Sequence, residues 1–280
     1  MKEKRMEVLQ VSLQYAMGIN MKKLVCFDMD MTLLDHATYS IPESAMKALD
    51  HLRAEGHIIV LASGRDMENE FSRPLAELVH PDAIVHANGL KVTIGNEKIY
   101  EHFMEKSIVK ELLEFAEEHH ICIGYNLGDI GYFVNKERVI EREVQVFGSC
   151  DRKFGDPGKL LDASLHALAV FGTLEQVQKL EKAFPLLKFP MFSGNVGADI
   201  VDKNTSKAVG IEALLTHYQL GWDDVIAFGD SMNDMEMIHA AGCGIAMGNA
   251  IEPLKKAADF VTKAVNEDGI WYGLQKLGLL

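Results

Sequence analysis

The sequence predicts an α/β protein whose open parallel sheet is interrupted by a separate α+β module. Short apolar runs alternate with amphipathic helical segments in residues 21–90 and again in residues 195–280. Residues 91–194 break this alternation, because strand-like runs there follow one another around turns such as Gly95-Asn96. In addition, several apolar runs end in a polar residue, which is typical of the ligand-binding edge of a parallel sheet.

The two outer segments supply the strands and helices of the predicted parallel sheet. The apolar runs are too short for helices and suit buried strands. Ser40 and Pro42 indicate a helix start, and Gly56 indicates its end. The predicted strands are 24–27, 58–62, 83–86, 225–228, 243–247 and 260–261, and the predicted helices are 42–55, 68–79, 206–218 and 233–241.

The middle segment predicts a module with hydrophobic faces of its own. Its first part, residues 91–106, alternates like antiparallel strands, and Ser107 is expected to cap a helix. Further strands are predicted at 121–125, 131–135 and 166–171, with a helix at 174–184. Residues 137–165 give no clear pattern, and residues 194–201 are expected to form the return hinge.

Composition narrows the class of protein. The chain has 280 residues and a net charge of −13, so it lacks the basic excess that binding to nucleic acid requires. It contains no apolar run of membrane-spanning length. The four cysteines are scattered without metal spacing, which predicts free thiols in a reducing cytoplasm. Residues 1–20 are interpreted as a leader, either an upstream-start extension or a loose helix, without a catalytic role.

Polar residues at the strand ends predict one composite site. The strands are followed by Asp28, Ser63, Asn88, Asp230 and Asn249, and carboxyl ends of parallel strands meet at the same edge of a sheet. Asp28 and the nearby Asp30 point the same way in an extended chain. Two such charges about 4 Å apart repel by about 4 kcal/mol at an effective dielectric of about 20. The pair therefore predicts a metal-dependent site.

Four ordered motifs give the chain its resemblance to a known family. They are DMDMTL from Asp28, SGR from Ser63, SKAVGIEALL containing Lys207, and GDSMND from Gly229. In this order the motifs resemble those of the haloacid dehalogenase superfamily, and the insertion and the MGNA sequence resemble its Cof-type, class IIB phosphatases. The resemblance implies a Rossmann-like doubly wound core, residues 21–90 and 195–280, with residues 91–194 as a C2B-type cap.

The resemblance also implies catalytic roles. Asp28 would be the nucleophile and form an aspartyl-phosphate, and Asp30 would be the general acid and then the general base. Asp28, the main-chain oxygen of Asp30, and Asp230 would bind Mg²⁺. Lys207, at a helix start, would neutralise Asp28 and the phosphoryl group.

Other motif residues are assigned to the phosphate or to support. Ser63, Gly64, Arg65, Lys207 and Asn233 are the expected phosphate-binding residues. For Arg65 three interpretations stay open: it pairs with the substrate, it braces Asp234, or it is a surface charge. The expected supporting residues are Thr32, Asp234, Asn88 and Asn249, of which Asp234 would orient metal-bound waters or Lys207. A simple turn role for Asn88 and Asn249 also stays open.

One position departs from the family pattern. Met31 stands where the family usually has glycine. Methionine adds bulk and disfavours a positive φ, so Met31 is expected to slow the enzyme, narrow its substrates or alter the leaving-group pocket. It removes no charge that the chemistry needs.

The favoured function is a Mg²⁺-dependent phosphatase for small phosphomonoesters, such as sugar phosphates or related metabolites. Its cap would exclude water and choose the substrate. A phosphomutase, a receiver-like phosphoacceptor and a non-catalytic binder of phosphorylated ligands are the alternatives. The expected partner is a small phosphorylated metabolite, without nucleic acid or membrane, and the protein is expected to be a monomer or a homodimer.

Overall fold

The structure, a computed structural model, describes residues 22–192 and 196–280. The strands within them are β1 (Leu24–Phe27), β2 (Ile58–Ala62), β3 (Ala83–His86), β4 (Lys91–Ile94), β5 (Glu97–Glu101), β6 (Cys122–Leu127), β7 (Ile130–Val134), β8 (Lys153–Phe154), β9 (Leu168–Phe171), β10 (Leu187–Lys188), β11 (Gly197–Asp202), β12 (Val225–Gly229), β13 (Cys243–Ala246) and β14 (Phe260–Val261). The α-helices there are α1 (Glu43–Ala54), α2 (Arg73–Val79), α3 (Lys106–Glu118), α4 (Glu137–Phe147), α5 (Leu174–Ala183), α6 (Lys207–Tyr218), α7 (Met235–Ala240), α8 (Glu252–Ala257) and α9 (Gly269–Leu277).

The chain divides into two compact units. One contains the described residues up to Glu101 together with Ser206–Leu280, and the other is His102–Thr205. The boundaries expected at residues 91 and 195 differ from this division. Strands β4 and β5 pair onto β3 and so extend the first unit, whereas β11 pairs with β9 of the second. The expected leader, residues 1–20, lies outside the described residues, as does the start of the expected hinge, residues 194–195.

The sheet of the first unit is parallel over most of its width. Its strand order is β14-β13-β12-β1-β2-β3-β4-β5, with parallel pairing from β14 to β3 and antiparallel pairing at β4 and β5. From β1 the chain proceeds outward through β2 and β3, and after the second unit it returns to the other side of β1 as β12. Strands β1 and β12 therefore flank the switch point of the sheet, where open α/β sheets bind ligands.

The central strands are buried on both faces, which explains their uninterrupted apolar sequences. Every residue of β1, β2 and β12 is buried. Phe27 of β1 stacks on Phe228 of β12 with ring centroids 5.1 Å apart. This packing fixes the two strand ends that carry Asp28 and Asp230.

The second unit is an α+β module with its own core, as its sequence predicts. Its strand order is β10-β11-β9-β6-β7-β8, antiparallel except for the β7–β8 pair. Leu112 of α3 and Leu180 of α5 pack in one apolar cluster with Ile123, Val170 and Ile200 of the sheet. Helix α4 lies within residues 137–165, where no element was predicted.

Several predicted helix starts differ from the structure. The helix expected at 68–79 begins only at Arg73, because Asp66 and Asn69 hold the preceding residues in turns: Asp66 accepts from Glu68 N, and Asn69 accepts from Phe71 N. Helix α3 begins one residue before Ser107, and α7 follows a short 3₁₀ turn at Met232–Asp234. Within residues 22–192 and 196–280, no helix has both the length and the apolar character that a bilayer crossing would require.

Candidate active site

The strand ends of the first unit bring the predicted polar residues to one edge of the sheet. Asp28 directly follows β1 and continues its pairing, since Asp28 N donates to Phe228 O at 3.0 Å. Ser63 does the same after β2, donating its N–H to Val85 O at 2.9 Å. Asp230 directly follows β12. The parallel pairing of these strands therefore places the three side chains along the same edge.

Lys207 brings a buried cation to this edge. It is the first residue of α6, whose N-cap, Ser206, accepts from Val209 N at 3.3 Å. The Lys207 side chain is fully buried, and its Nζ contacts Asp28 Oδ1 and lies 2.6 Å from Asp234 Oδ1. Burial on its own lowers the pKa of Lys207, but the neighbouring Asp28 and Asp234 raise it above its ordinary value. The amine is therefore charged.

Three carboxylates form a cluster around this amine. Ligand oxygens of Asp28, Asp230 and Asp234 all lie within 4.8 Å of one another. Asp234 Oδ2 accepts from the backbone N–H groups of Asp230, at 2.9 Å, and Ser231, at 3.0 Å. Burial raises the pKa of Asp230 to about 6, and the nearby Asp234 adds to this shift. Burial, together with the neighbouring Asp234 and Asp230, likewise raises the pKa of Asp28, so three carboxyl groups share one buried amine.

The cluster fits a divalent cation. Asp230 Oδ1 is buried without a hydrogen-bond partner, and burying such an atom is costly unless something binds it. Carboxylate oxygens are the ligands that Mg²⁺ and similar hard cations prefer. Asp28, Asp230 and Asp234 could therefore hold one, although Asp234 was expected only as a supporting residue. The carboxylate of Asp30 is not in the cluster, and the proposed contribution of Asp30 is its main-chain oxygen.

The carboxylate of Asp30 is instead held by two basic side chains. Arg65 Nε lies 2.8 Å from Asp30 Oδ2, and Arg65 Nη2 lies 2.5 Å from Oδ1. His36 Nε2 lies 2.7 Å from Oδ1. Burial on its own raises the pKa of Asp30, but the bonds from Arg65 and His36 bring it below its ordinary value. In this structure the guanidinium of Arg65 binds Asp30 rather than Asp234, and the pairing of Arg65 with substrate stays a prediction.

His36 is a site residue that sequence reasoning missed. It belongs to a polar loop after the first motif, and its side chain is 48% exposed. Among the described residues no local pattern distinguishes it from other exposed histidines. The sequence feature that could have identified His36 is its position, six residues after Asp30 in the loop that follows the first motif.

Four of the five predicted phosphate-binding residues lie beside one another. Ser63 is buried, and its Oγ accepts from Arg65 N at 3.0 Å, which leaves the hydroxyl hydrogen free to donate. Asn233 Nδ2 donates to Asn88 Oδ1 at 2.9 Å. Gly64 faces these two amides, since a Cβ added there would lie 3.4 Å from each. The second and fourth motifs and the turn after β3 therefore converge.

Met31 adopts a positive φ, the backbone conformation that a methionine is expected to disfavour. Its φ is +61°, in the left-handed region that glycine usually occupies. Asn249 Nδ2 donates to Met31 O at 2.8 Å, and Asn249 Oδ1 accepts from Val265 N at 2.9 Å. Asn249 thus connects the first motif to the C-terminal segment. Thr32, the next residue, is buried with an Oγ1 that has no hydrogen-bond partner.

Comparison with known proteins places this arrangement in a family. Residues 25–274 match the sequence profile of haloacid dehalogenase-like hydrolases. The chain belongs to this family. The four motifs that suggested the resemblance all lie within the matched residues.

Relatives of this haloacid dehalogenase-like hydrolase are named as phosphatases. YkrA of Bacillus subtilis, named as a phosphatase, is 32% identical over 262 residues, which cover 92% of this chain and 98% of YkrA. The structure of BT1666, a haloacid dehalogenase phosphatase of Bacteroides thetaiotaomicron, matches with a TM-score of 0.81 and 25% identity over 94% of this chain and 97% of BT1666. BT4131, described as a subclass IIB sugar phosphatase, matches with a TM-score of 0.73 and 26% identity over 92% of this chain and all of BT4131. The chain is thus a haloacid dehalogenase phosphatase with the Cof-type architecture.

Proposed function

We propose that this phosphatase hydrolyses small phosphomonoesters, sugar phosphates among them, with Mg²⁺ as its metal and Asp28 as its nucleophile. The observation that carries the proposal is the buried contact of Lys207 with Asp28 and Asp234 beside the unpartnered Asp230 oxygen. A carboxylate that attacks a phosphate dianion needs positive charge on both sides. The substrate class is supported by the likeness to the sugar phosphatase BT4131.

In the first step, an Asp28 oxygen attacks phosphorus and the bond between phosphorus and the ester oxygen breaks. The leaving oxygen takes a proton from the Asp30 carboxyl group, which is the general-acid role. In the second step, water attacks the aspartyl-phosphate and gives a proton to Asp30. Inorganic phosphate leaves and the Asp28 carboxylate is restored.

The surrounding residues bind and orient the reacting groups. Lys207 neutralises Asp28 and the transferring phosphoryl group, while the free hydroxyl hydrogen of Ser63 and the amide of Asn233 bind phosphate oxygens. Asp28, Asp230 and the main-chain oxygen of Asp30 would hold the divalent cation, with Asp234 close enough to assist. When bound, the cation would offset the repulsion between the nucleophile and the phosphate. The inserted unit, residues 102–205, is proposed to select the substrate as a cap.

A panel of phosphomonoesters tests the proposal. The wild-type protein should release inorganic phosphate from at least one sugar phosphate with Mg²⁺ and lose this activity with a chelator. Asp28→Asn should abolish release, since the amide is a poor nucleophile, whereas Asp50→Asn, an exposed change on α1, should leave it unchanged. Release that survives in Asp28→Asn would contradict the proposal. An isomeric sugar phosphate as product would indicate a phosphomutase, and a stable phosphoprotein without turnover would indicate a receiver-like protein.

A further inference from the structure

The loop after the first motif is built to hold one side chain in place. Residues 35–40 close on themselves, since Asp35 N donates to Ser40 O at 3.0 Å. Asp35 Oδ1 accepts from Ala37 N at 2.9 Å, and the hydroxyls of Thr38 and Ser40 lie 2.8 Å apart. His36 lies inside this closed loop, so its backbone position is fixed by bonds on both sides.

His36 and Arg65 hold the same carboxylate from two different loops. Arg65 comes from the loop after β2 and binds both oxygens of Asp30. His36 comes from the loop after the first motif, and its Nε2 lies 2.7 Å from Oδ1. Two partners from separate backbone segments restrict the rotation of the Asp30 side chain more than one flexible arginine can. A rotation that keeps the contact with one partner would break the contact with the other.

Stability alone does not account for this contact. The His36 side chain is 48% exposed and that of Asp30 is 31% exposed. Ion pairs with this much exposure are screened by water and contribute little to folding. The contact instead holds the side chain that is proposed as the general acid, and a general acid must lie within hydrogen-bond reach of the leaving oxygen.

We propose that His36 is a positioning residue that, together with Arg65, holds the side chain of Asp30 in one orientation for its general-acid role. The proposal rests on the proposed function, because it takes Asp30 as the general acid. His36 itself transfers no atom: in the step that it serves, the proton passes from Asp30 to the ester oxygen as the bond from phosphorus to that oxygen breaks.

The dependence of kcat/KM on the leaving group distinguishes a role of His36 in positioning the acid from a general structural role. The alkoxide of a sugar or glycerol phosphate leaves slowly unless it is protonated, whereas 4-nitrophenolate leaves without a proton. The ratio kcat/KM reports only the steps up to formation of the aspartyl-phosphate, so the second step does not mask the difference. Damage to the fold or to metal binding would lower kcat/KM for both substrates alike.

The experiment compares His36→Ala and His36→Gln with the wild-type protein on glycerol phosphate and 4-nitrophenyl phosphate. General acid–base catalysis contributes roughly 100- to 10,000-fold, and we expect His36→Ala to lose about tenfold or more of kcat/KM on glycerol phosphate. The loss on 4-nitrophenyl phosphate should stay within about threefold, because that reaction bypasses the step in which the acid acts. His36→Gln should recover much of the loss, because its side-chain amide can donate from nearly the position of Nε2. His51→Ala is the matched control, because His51 is an exposed histidine of α1. It should change kcat/KM on neither substrate.

Equal losses on the two substrates, no loss in His36→Ala, or no recovery in His36→Gln would overturn the proposal. Asp30→Asn must itself lose more kcat/KM on glycerol phosphate than on 4-nitrophenyl phosphate. Equal losses in Asp30→Asn would also overturn the proposal. Failure of the proposed function gives a different result: Asp28→Asn would then keep its activity on both substrates.

Discussion

Lys207 Nζ lies 2.6 Å from Asp234 Oδ1, and neither side chain is exposed to solvent. The other oxygen of Asp234 accepts the N–H groups of Asp230 and Ser231. A single carboxylate therefore fixes both the buried amine and the loop that carries Asp230. These contacts connect the start of α6 to the loop that follows β12.

We expect Asp234→Asn to destabilise the first unit. Asparagine can offer its oxygen to the amine or to the backbone N–H groups, but not to both, so a buried donor loses its partner. Breaking a buried ion pair typically costs about 3 kcal/mol or more of the free energy of unfolding. Urea unfolding measures this loss. Glu252→Gln, which removes an exposed pair with Lys255, is the control and should change little; equal stabilities of the two variants would contradict the prediction.

Metal binding should depend on Asp230. Mg²⁺ is expected to raise the melting temperature of the wild-type protein, because a ligand at about 100 times its Kd stabilises the folded state by about 2.7 kcal/mol. Asp230→Asn should remove most of this shift, since its unpartnered carboxylate oxygen is replaced by a weaker ligand. Thermal unfolding with Mg²⁺ and with a chelator measures the shift. A full shift in Asp230→Asn, equal to that of Asp50→Asn, would exclude Asp230 as a ligand.

The pKa of Asp230 predicts a pH dependence of the metal-free protein. Burial raises this pKa to about 6, whereas an aspartate in an unfolded chain titrates near about 3.9. The folded protein then holds the proton more tightly, so the contribution of Asp230 to stability is greatest below about pH 4 and is lost as the pH rises through about 6.

The measurement is the difference in the free energy of unfolding between the wild-type protein and Asp230→Asn, in a chelator, from pH 4 to 8. The difference should decline up to about pH 6 and then level off. Mg²⁺ should remove the decline, because it binds the ionised form. A difference that rises over this interval would mean that the pKa is lowered rather than raised.

Gly89 should be irreplaceable because of a close approach between two backbones. A Cβ at Gly89 would lie 1.9 Å from the carbonyl oxygen of Ser206, which caps the helix that begins with Lys207. We expect Gly89→Ala to cost about 3 kcal/mol or more and to reduce turnover by displacing Lys207. Gly95→Ala is the matched control: Gly95 also has a positive φ, but open space surrounds it, so only the backbone cost of about 1 kcal/mol applies. Similar losses of stability in the two variants would contradict the steric explanation.

Met31 should tolerate glycine better than valine. Glycine adopts the observed φ of +61° without strain, whereas a β-branched side chain is strongly disfavoured there. Met31→Val should therefore be less stable than Met31→Gly by about 1–2 kcal/mol. Urea unfolding of the two variants checks the order, and Met31→Gly should keep its phosphatase activity. The reverse order would show that side-chain packing outweighs the backbone conformation at this position.

The sequence predicted the parts of the site that depend on strand ends. Apolar runs that stop at Asp28, Ser63 and Asp230 locate those residues at one sheet edge, because parallel pairing brings carboxyl ends together. The hydrogen-bond partners of Arg65 could not be predicted from strand ends. Arg65 and Asp30 are 35 residues apart, and a pairing between two loops leaves no periodic pattern in either.

The boundaries of the inserted unit were missed for a similar reason. Residues 91–101 have the alternation of antiparallel strands, as predicted, but alternation does not reveal which sheet a hairpin joins. Strand β4 pairs with β3, so the hairpin became the edge of the larger sheet. Likewise, the helix predicted at 68–79 lost its first turn to Asp66 and Asn69, whose side chains compete for backbone N–H groups.

The position of β1 between β2 and β12 has a consequence for biosynthesis. A ribosome makes β1 early, yet one of its two hydrogen-bonding neighbours emerges only after the entire insertion has been translated. During that interval the backbone N–H and C=O groups on one side of a wholly apolar strand have no partner strand. Such an edge can pair with other chains. Truncated products that stop before Val225 should therefore be both inactive and prone to aggregate, because the growing polypeptide contains Asp28 long before it contains Asp230.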